Sequence, residues 1–358
     1  MATYWLVWLC VLIFSAIAQS SDYAFPDQPL NEKITHTPTT KFWLFLAVSV
    51  LIFVAGCRYY IGADYYAYYG WYQSYATTFW ERLRSLDEPG IRLIYMLVTK
   101  VVDDGAACIF VTDGIMIVLV LRTLYKNTSK VCLATILYSL ICWTATFNGM
   151  RQALAVAVIF CGLPYLREKK FVKYLIVCAI AFLCHRSAIV MILPYFVVNR
   201  KINAKNIFLL SILGITVLMS FDRVIEVTGF ILDESIKADS TYWANAVNYL
   251  RTAANIAPSV FFLYVYRNEE KGEAESFYLN LLLIHAIVAF ATSNSACLAR
   301  MSMYTAPFEV LAVCELSKIF KEKNRGIVVL IVILFWIFES YEVFISPDLT
   351  PFKWIWQR

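Results

Sequence analysis

Three short polar clusters interrupt long apolar runs, and each carries groups that can handle a phosphate. The first is Asn148-Gly149-Met150-Arg151-Gln152, the second Cys184-His185-Arg186-Ser187, and the third Ser295 followed by Arg300. A guanidinium presents a planar fork of N–H donors that matches phosphate oxygens two at a time. Arg151, Arg186 and Arg300 are therefore candidates to take up charge developing on a phosphate leaving group. A hydroxyl nucleophile also needs a proton acceptor within hydrogen-bond reach. His185 and Asp64 are the two choices; with an anion bound nearby His185 could instead stay protonated as a further cation, and Asp64 is favoured as base or acceptor-binding residue.

These residues need elements that bring them together. Asn148 and Ser187 are good N-cap types. Helices starting at the three clusters are expected to turn their N-termini, with unpaired N–H groups and positive dipole ends, toward one anion. The bland alternative is that each arginine snorkels to lipid headgroups. Their occurrence on one face weighs against it.

The setting is a bilayer. The chain has 358 residues, 60% hydrophobic and 16% charged, against about 25% charged in soluble domains, and its mean hydropathy is +0.63. It reads as an all-α polytopic membrane protein, one integral membrane domain over residues 1–358, with roughly 11–13 transmembrane or re-entrant helices. Apolar runs lie at 4–18, 42–56, 106–121, 131–146, 150–166, 171–184, 187–198, 206–220, 251–267, 277–292, 298–317 and 326–344. Several are shorter than the roughly 20 residues of a full crossing. Residues 91–102 are interrupted by Arg92 and Lys100 and leave spanning, re-entry and lying flat all open.

Basic loops fix the expected orientation. Arg122, Lys126 and Lys130, then Arg167, Lys169, Lys170 and Lys173, then Arg200, Lys201 and Lys205, then Lys318, Lys321, Lys323 and Arg325 alternate with less basic connections. The positive-inside rule places these in the cytoplasm and 146–150, 184–187, 292–300 and the mainly acidic loop 221–250 outside. The three polar clusters thus share the outer face.

Residues 57–90 carry Tyr59, Tyr60, Tyr65, Tyr66, Tyr68, Tyr69, Tyr72 and Tyr75. Tyrosine favours the headgroup level, so this stretch is expected to lie outside along the interface, holding Arg58, Asp64 and Glu88. Aromatic rings there suit sugar faces. The ten cysteines form no framework, and neither they nor His36, His185 and His285 have metal-ligand spacing. No metal, cofactor or nucleic-acid partner is expected, and His285, inside an apolar run, reads as packing.

The motifs Arg58-x-x-x-Gly62-x-Asp64-x-x-x-Tyr68, Glu88-Pro89-Gly90, Asn148-x-x-Arg151-Gln152-x-x-Ala155, His185-x-Ser187-Ala188 and Arg300-x-Ser302-x-Tyr304 occur in that order. Together they resemble the EpsG/Wzy-type polysaccharide polymerases. Pro351-Phe352-Lys353 is similar to that family's C-terminal Pro-Tyr-Lys/Arg pattern, with Phe in place of Tyr. The resemblance implies a multi-pass enzyme of the bacterial inner membrane, with a fold like the lipid-substrate (GT-C-like) glycosyltransferases. It implies joining of undecaprenyl-diphosphate-linked oligosaccharide units into O-antigen, capsule or exopolysaccharide, beside a flippase and a chain-length regulator. Arg58, Tyr68, Glu88, Asn148, Gln152 and Tyr304 would then contribute to substrate binding. A flippase or exporter of the same lipid-linked units, and a membrane acyltransferase, are the rival readings.

Overall fold

A computed structural model describes residues 1–22, 34–203, 248–320 and 324–357, with a few isolated positions between 204 and 220. The expected span at 206–220 and nearly all of the 221–250 loop lie outside the described residues. Among the described residues seventeen α-helices follow in chain order. They are α1 (Ala2–Ser21), α2 (Pro38–Gly56), α3 (Tyr65–Gly70), α4 (Tyr72–Thr77), α5 (Phe79–Arg84), α6 (Pro89–Thr99), α7 (Gly105–Asn127), α8 (Val131–Ile141) and α9 (Met150–Cys161). Then come α10 (Leu163–Arg167), α11 (Phe171–Cys184), α12 (Tyr195–Val198), α13 (Tyr249–Val265), α14 (Glu273–Ala291), α15 (Ala296–Ala299), α16 (Ala306–Leu316) and α17 (Arg325–Ile345). Short 3-10 turns join several of them, notably Arg186–Ile192 and Arg300–Tyr304. No strand occurs among the described residues; one isolated bridge pairs Arg58 with Trp354.

Local chemistry starts the helices where polar residues meet apolar ones. The Thr37 hydroxyl accepts from the Thr40 amide at 3.1 Å with Pro38 in the first turn, and Asp104 caps α7 through the Ala106 amide at 2.9 Å. Each side chain satisfies a donor that the helix itself leaves open.

Among the described residues five helices, α1, α2, α7, α14 and most of α17, are long and apolar enough to cross a bilayer unaided. The others are shorter and lean on neighbours. Most of α9 and all of α16 are buried among helices rather than set against lipid. Backbone carbonyls inside the bundle serve as acceptors for aromatic side chains: Trp8 Nε1 donates to Ser139 O at 3.2 Å, Trp143 Nε1 to Leu51 O at 3.3 Å and Tyr174 Oη to Met191 O at 2.8 Å. With no water in the hydrocarbon region, such pairing is what lets polar atoms stay there.

The contacts sort the helix ends onto two faces. On one, Gln19 donates to Ser129 O, His36 bridges Asp22 at 2.5 Å and Tyr125 O at 2.7 Å, Asn199 donates to Leu166 O, and Tyr266 Oη donates to Leu316 O. This is the face of the basic loops. On the other, the Gly62 amide donates to Asp348 O and Tyr4 Oη donates to Leu349 O. Asp64 and the clusters at 148–151, 185–187 and 300 meet on this second face.

Residues 91–102 find their place here. Helix α6 begins beside His185 and connects through only five residues to α7, and Tyr72 Oη donates to Asp103 O at 3.4 Å. Both ends of α6 therefore sit on the same face, and the helix lies along it. The interfacial segment runs from 57 to 104, longer than the 57–90 expected, because α6 buries one side, through Ile91, Arg92 and Tyr95, and leaves Leu93 and Leu97 exposed on the other.

Candidate active site

Glu88 is the centre from which the site is built. Its backbone is left-handed, φ 50°, a conformation that costs a non-glycine residue about 1–3 kcal/mol and is held only when surroundings enforce it. Pro89 begins α6 with φ already set for a helix. Gly90 then allows α6 to approach α11 closely: a Cβ there would stand 2.7 Å from Cys184 Sγ and 2.9 Å from Cys184 Cα. That approach brings the Glu88 carboxylate to residue 185. Oε1 accepts from the Arg186 amide at 3.0 Å and lies 2.6 Å from His185 Nδ1, while Oε2 accepts from Arg151 Nη1 at 2.7 Å. Burial pushes the Glu88 carboxyl up, but the hydrogen bond and charge of His185, then Arg151 and the Arg186 amide, outweigh it and hold it down to about 2.

A second carboxylate repeats the logic beside it. Asp64 Oδ2 accepts from the Gly149 amide at 2.7 Å, and Arg300 Nη1 stands 3.6 Å away. Asn148 Oδ1 accepts from the Ala63 amide at 2.6 Å, so the Asp64 loop and the start of α9 are clamped to each other twice. Gly62 completes the turn at φ 99°; a Cβ would fall 2.4 Å from Phe147 O. Residues 346–357 pass beneath as a strap, with Tyr59 N donating to Lys353 O, Gly62 N to Asp348 O and Ile355 N to Cys57 O at 2.8–2.9 Å.

The sequence motifs EpsG-type polymerases share now have positions, and one comparison decides the matter: a sequence model of the EpsG family matches residues 41–354. The chain belongs to the EpsG family. No curated protein and no solved structure matches it. Membership suggests a membrane role of the polysaccharide-polymerase kind.

Within this EpsG-family site the candidate residues divide into two sets. Asp64, Arg151, His185, Arg186 and Arg300 keep surface open on this second face; their side chains are 32%, 29%, 21%, 39% and 32% exposed. The rest stand behind them. Arg58 is wholly enclosed: it pairs with Asp113, donates to the Ala55 and Ile61 carbonyls, and lies 4.5 Å from the Phe147 ring centre. It has no surface for a sugar, so its place is structural. Tyr68 Oη accepts from the Arg151 amide at 3.4 Å, Gln152 donates to Arg300 O at 2.8 Å, and Tyr304 shares a 3.0 Å hydrogen bond with Ser187. These three, with Asn148 and Glu88, are tied by hydrogen bonds to the exposed five or to the loops that carry them.

The helix N-termini also differ from expectation. The Gly149, Arg151 and Arg186 amides are already taken by Asp64, Tyr68 and Glu88. Residues 186–192 and 300–304 form 3-10 turns instead of α-helix starts. Three open helix ends do not converge on an anion; the positive field at this face comes from side-chain cations. His285 is buried between α14 and α16, its Nδ1 2.7 Å from Thr305 Oγ1 and its Nε2 3.1 Å from Glu309 Oε2. It anchors the turn that ends at Tyr304. Among the described residues no group of three or more His, Cys, Asp or Glu could hold a metal ion.

One residue escaped the sequence reading. Arg92 lies on the Glu88 side of α6, one helical turn on, with its guanidinium 4.7 Å from the Tyr75 ring centre. In the sequence its mark is the single charge it sets near the start of the apolar run 91–102.

Proposed function

We propose that this EpsG-family protein polymerises oligosaccharide units carried on a lipid diphosphate, undecaprenyl diphosphate in the bacterial inner membrane, at the outer face. The observation that carries the reading is the Glu88–His185 pair set among Arg151, Arg186 and Arg300. An acceptor sugar hydroxyl attacks the anomeric carbon of the growing chain. A C–O glycosidic bond forms, the anomeric C–O bond to phosphate breaks, and the lipid diphosphate departs with the bonding electron pair. The hydroxyl proton goes to a base. His185 suits that step: with Nδ1 directed at Glu88, Nε2 is the nitrogen left for the hydroxyl, and the adjacent carboxylate stabilises the imidazolium that forms. Asp64 already accepts from the Gly149 amide and stands beside Arg300, so one of its oxygens is engaged. It is better fitted to accept a hydrogen bond from a sugar hydroxyl. The arginines take the leaving-group charge.

The purified chain in nanodiscs, given undecaprenyl-diphosphate-linked repeat units without nucleotide sugar or ATP, is expected to produce a ladder of longer glycans and free undecaprenyl diphosphate. The energy lies in the sugar–diphosphate bond. Movement of the lipid-linked unit across vesicles with no new glycosidic bond would replace this reading with that of a flippase.

A further inference from the structure

Arg92 is nine-tenths buried, with 8% of its surface open. Its Nε and Nη1 are enclosed and have no hydrogen-bond partner. A guanidinium does not lose its proton in a protein, and a buried donor without an acceptor is costly. Stacking on Tyr75 at 4.7 Å offsets part of that cost and fixes the plane of the group. It supplies no acceptor. The obvious one is Glu88, four residues earlier, but both of its oxygens are turned toward α9 and the start of the 186–192 turn. The charged groups nearest in effect to Arg92 are Arg82, Arg151 and Glu88. Arg82 is itself paired with Asp87, and its Nε is also buried without an acceptor.

We propose that Arg92 is a direct ligand of a diphosphate ester, gripping it from the α6 side while Arg151 grips it from α9. The inference rests on the reading of the site as one for lipid diphosphates, and it adds a residue to the anion site. Entry of the anion between α6 and α9 gives the orphan donors of Arg92 their acceptors. The Arg82–Asp87 pair, with side chains 39% and 23% exposed, is the part of the wall free to yield.

The test is a binding measurement on the full chain in nanodiscs of zwitterionic lipid, with inorganic diphosphate and a short-chain prenyl diphosphate as probes. Affinity and the ligand-induced rise in thermal midpoint are read together. Loss of a charged hydrogen-bond donor should weaken both probes by roughly 10- to 100-fold in Arg92→Gln and Arg92→Met, with Arg92→Lys in between. Without ligand the Met variant should melt no lower than the wild type, since it removes a buried, unsatisfied charge; should the Gln or Met variant fail to fold, the Lys variant decides by its own loss. Unchanged affinity for both probes would overturn the proposal. So would a dependence on Arg92 that appears only when anionic lipid is put in the nanodisc and for neither diphosphate, which would mark headgroup snorkelling. No glycosidic bond is made in this assay, so it stands if the polymerase reading fails. A glycan ladder from a variant that binds as tightly as wild type would sink this inference and leave the polymerase.

Discussion

Replacing Glu88 by Gln keeps the shape of the side chain and removes its charge. The wild-type carboxylate serves Arg151, His185 and the Arg186 amide; an amide offers one oxygen and sets N–H donors against the remaining partners. The Glu88 carboxyl lies at about 2 in the folded chain against an ordinary 4.5. That depression corresponds to about 3 kcal/mol of folding stability at neutral pH. Because the folded value is lowered, the contribution is complete above about 4.5 and drains away as pH falls toward 2. Linkage gives about 3 kcal/mol at pH 7 and roughly 1.4 kcal/mol at pH 3. Unfolding of the wild type and the Gln variant in detergent, followed by tryptophan fluorescence at several pH values, measures the difference directly. The gap should exceed about 2 kcal/mol at pH 7 and narrow by half at pH 3. A gap that stays flat, or a variant as stable as wild type at pH 7, would refute the idea that charge on Glu88 holds the three partners together.

Two further outcomes follow from the packing. Gly90→Ala should separate α6 from α11, because its Cβ meets Cys184 backbone at 2.9 Å, and polymer yield should fall by at least tenfold with the protein still present in membranes; yield within twofold of wild type would show that the close approach is dispensable. On a cysteine-free background, a cysteine at Tyr66 should react with a membrane-impermeant maleimide from outside intact cells, and one at Lys169 only after lysis; labelling at 169 from outside would reverse the orientation.

Hydropathy showed the helical passes, and the alternation of basic loops showed which ends lie together, because both are written in local composition. Which polar groups face the substrate was not legible. Glu88 reads in sequence as a binding residue, and the partners that occupy its carboxylate, 63 to 98 positions away, are not visible there. Arg58 had the same appearance, and only the packing of Asp113, one helix over, shows it sealed inside. The helix starts at Asn148 and Ser187 were visible as cap residues, but not that Asp64 and Glu88 would occupy the amides behind them. Arg92 was visible and unplaced, because a short apolar run with one charge fits a flat helix and a crossing one equally well.

The strap of residues 346–357 has a consequence for synthesis. The Asp64 loop leaves the ribosome early, yet the carbonyls that seat it, those of Asp348 and Lys353, are made nearly 290 residues later. Until α17 has been threaded into the bilayer and the strap behind it is made, the Asp64 loop lacks those two carbonyl acceptors and is held from the side of Asn148 and Gly149. A ribosome-stalled or prematurely ended chain would thus insert most of its helices and still present an unfinished mouth, so a mouth of this design forms only on chains that carry α17 and the strap.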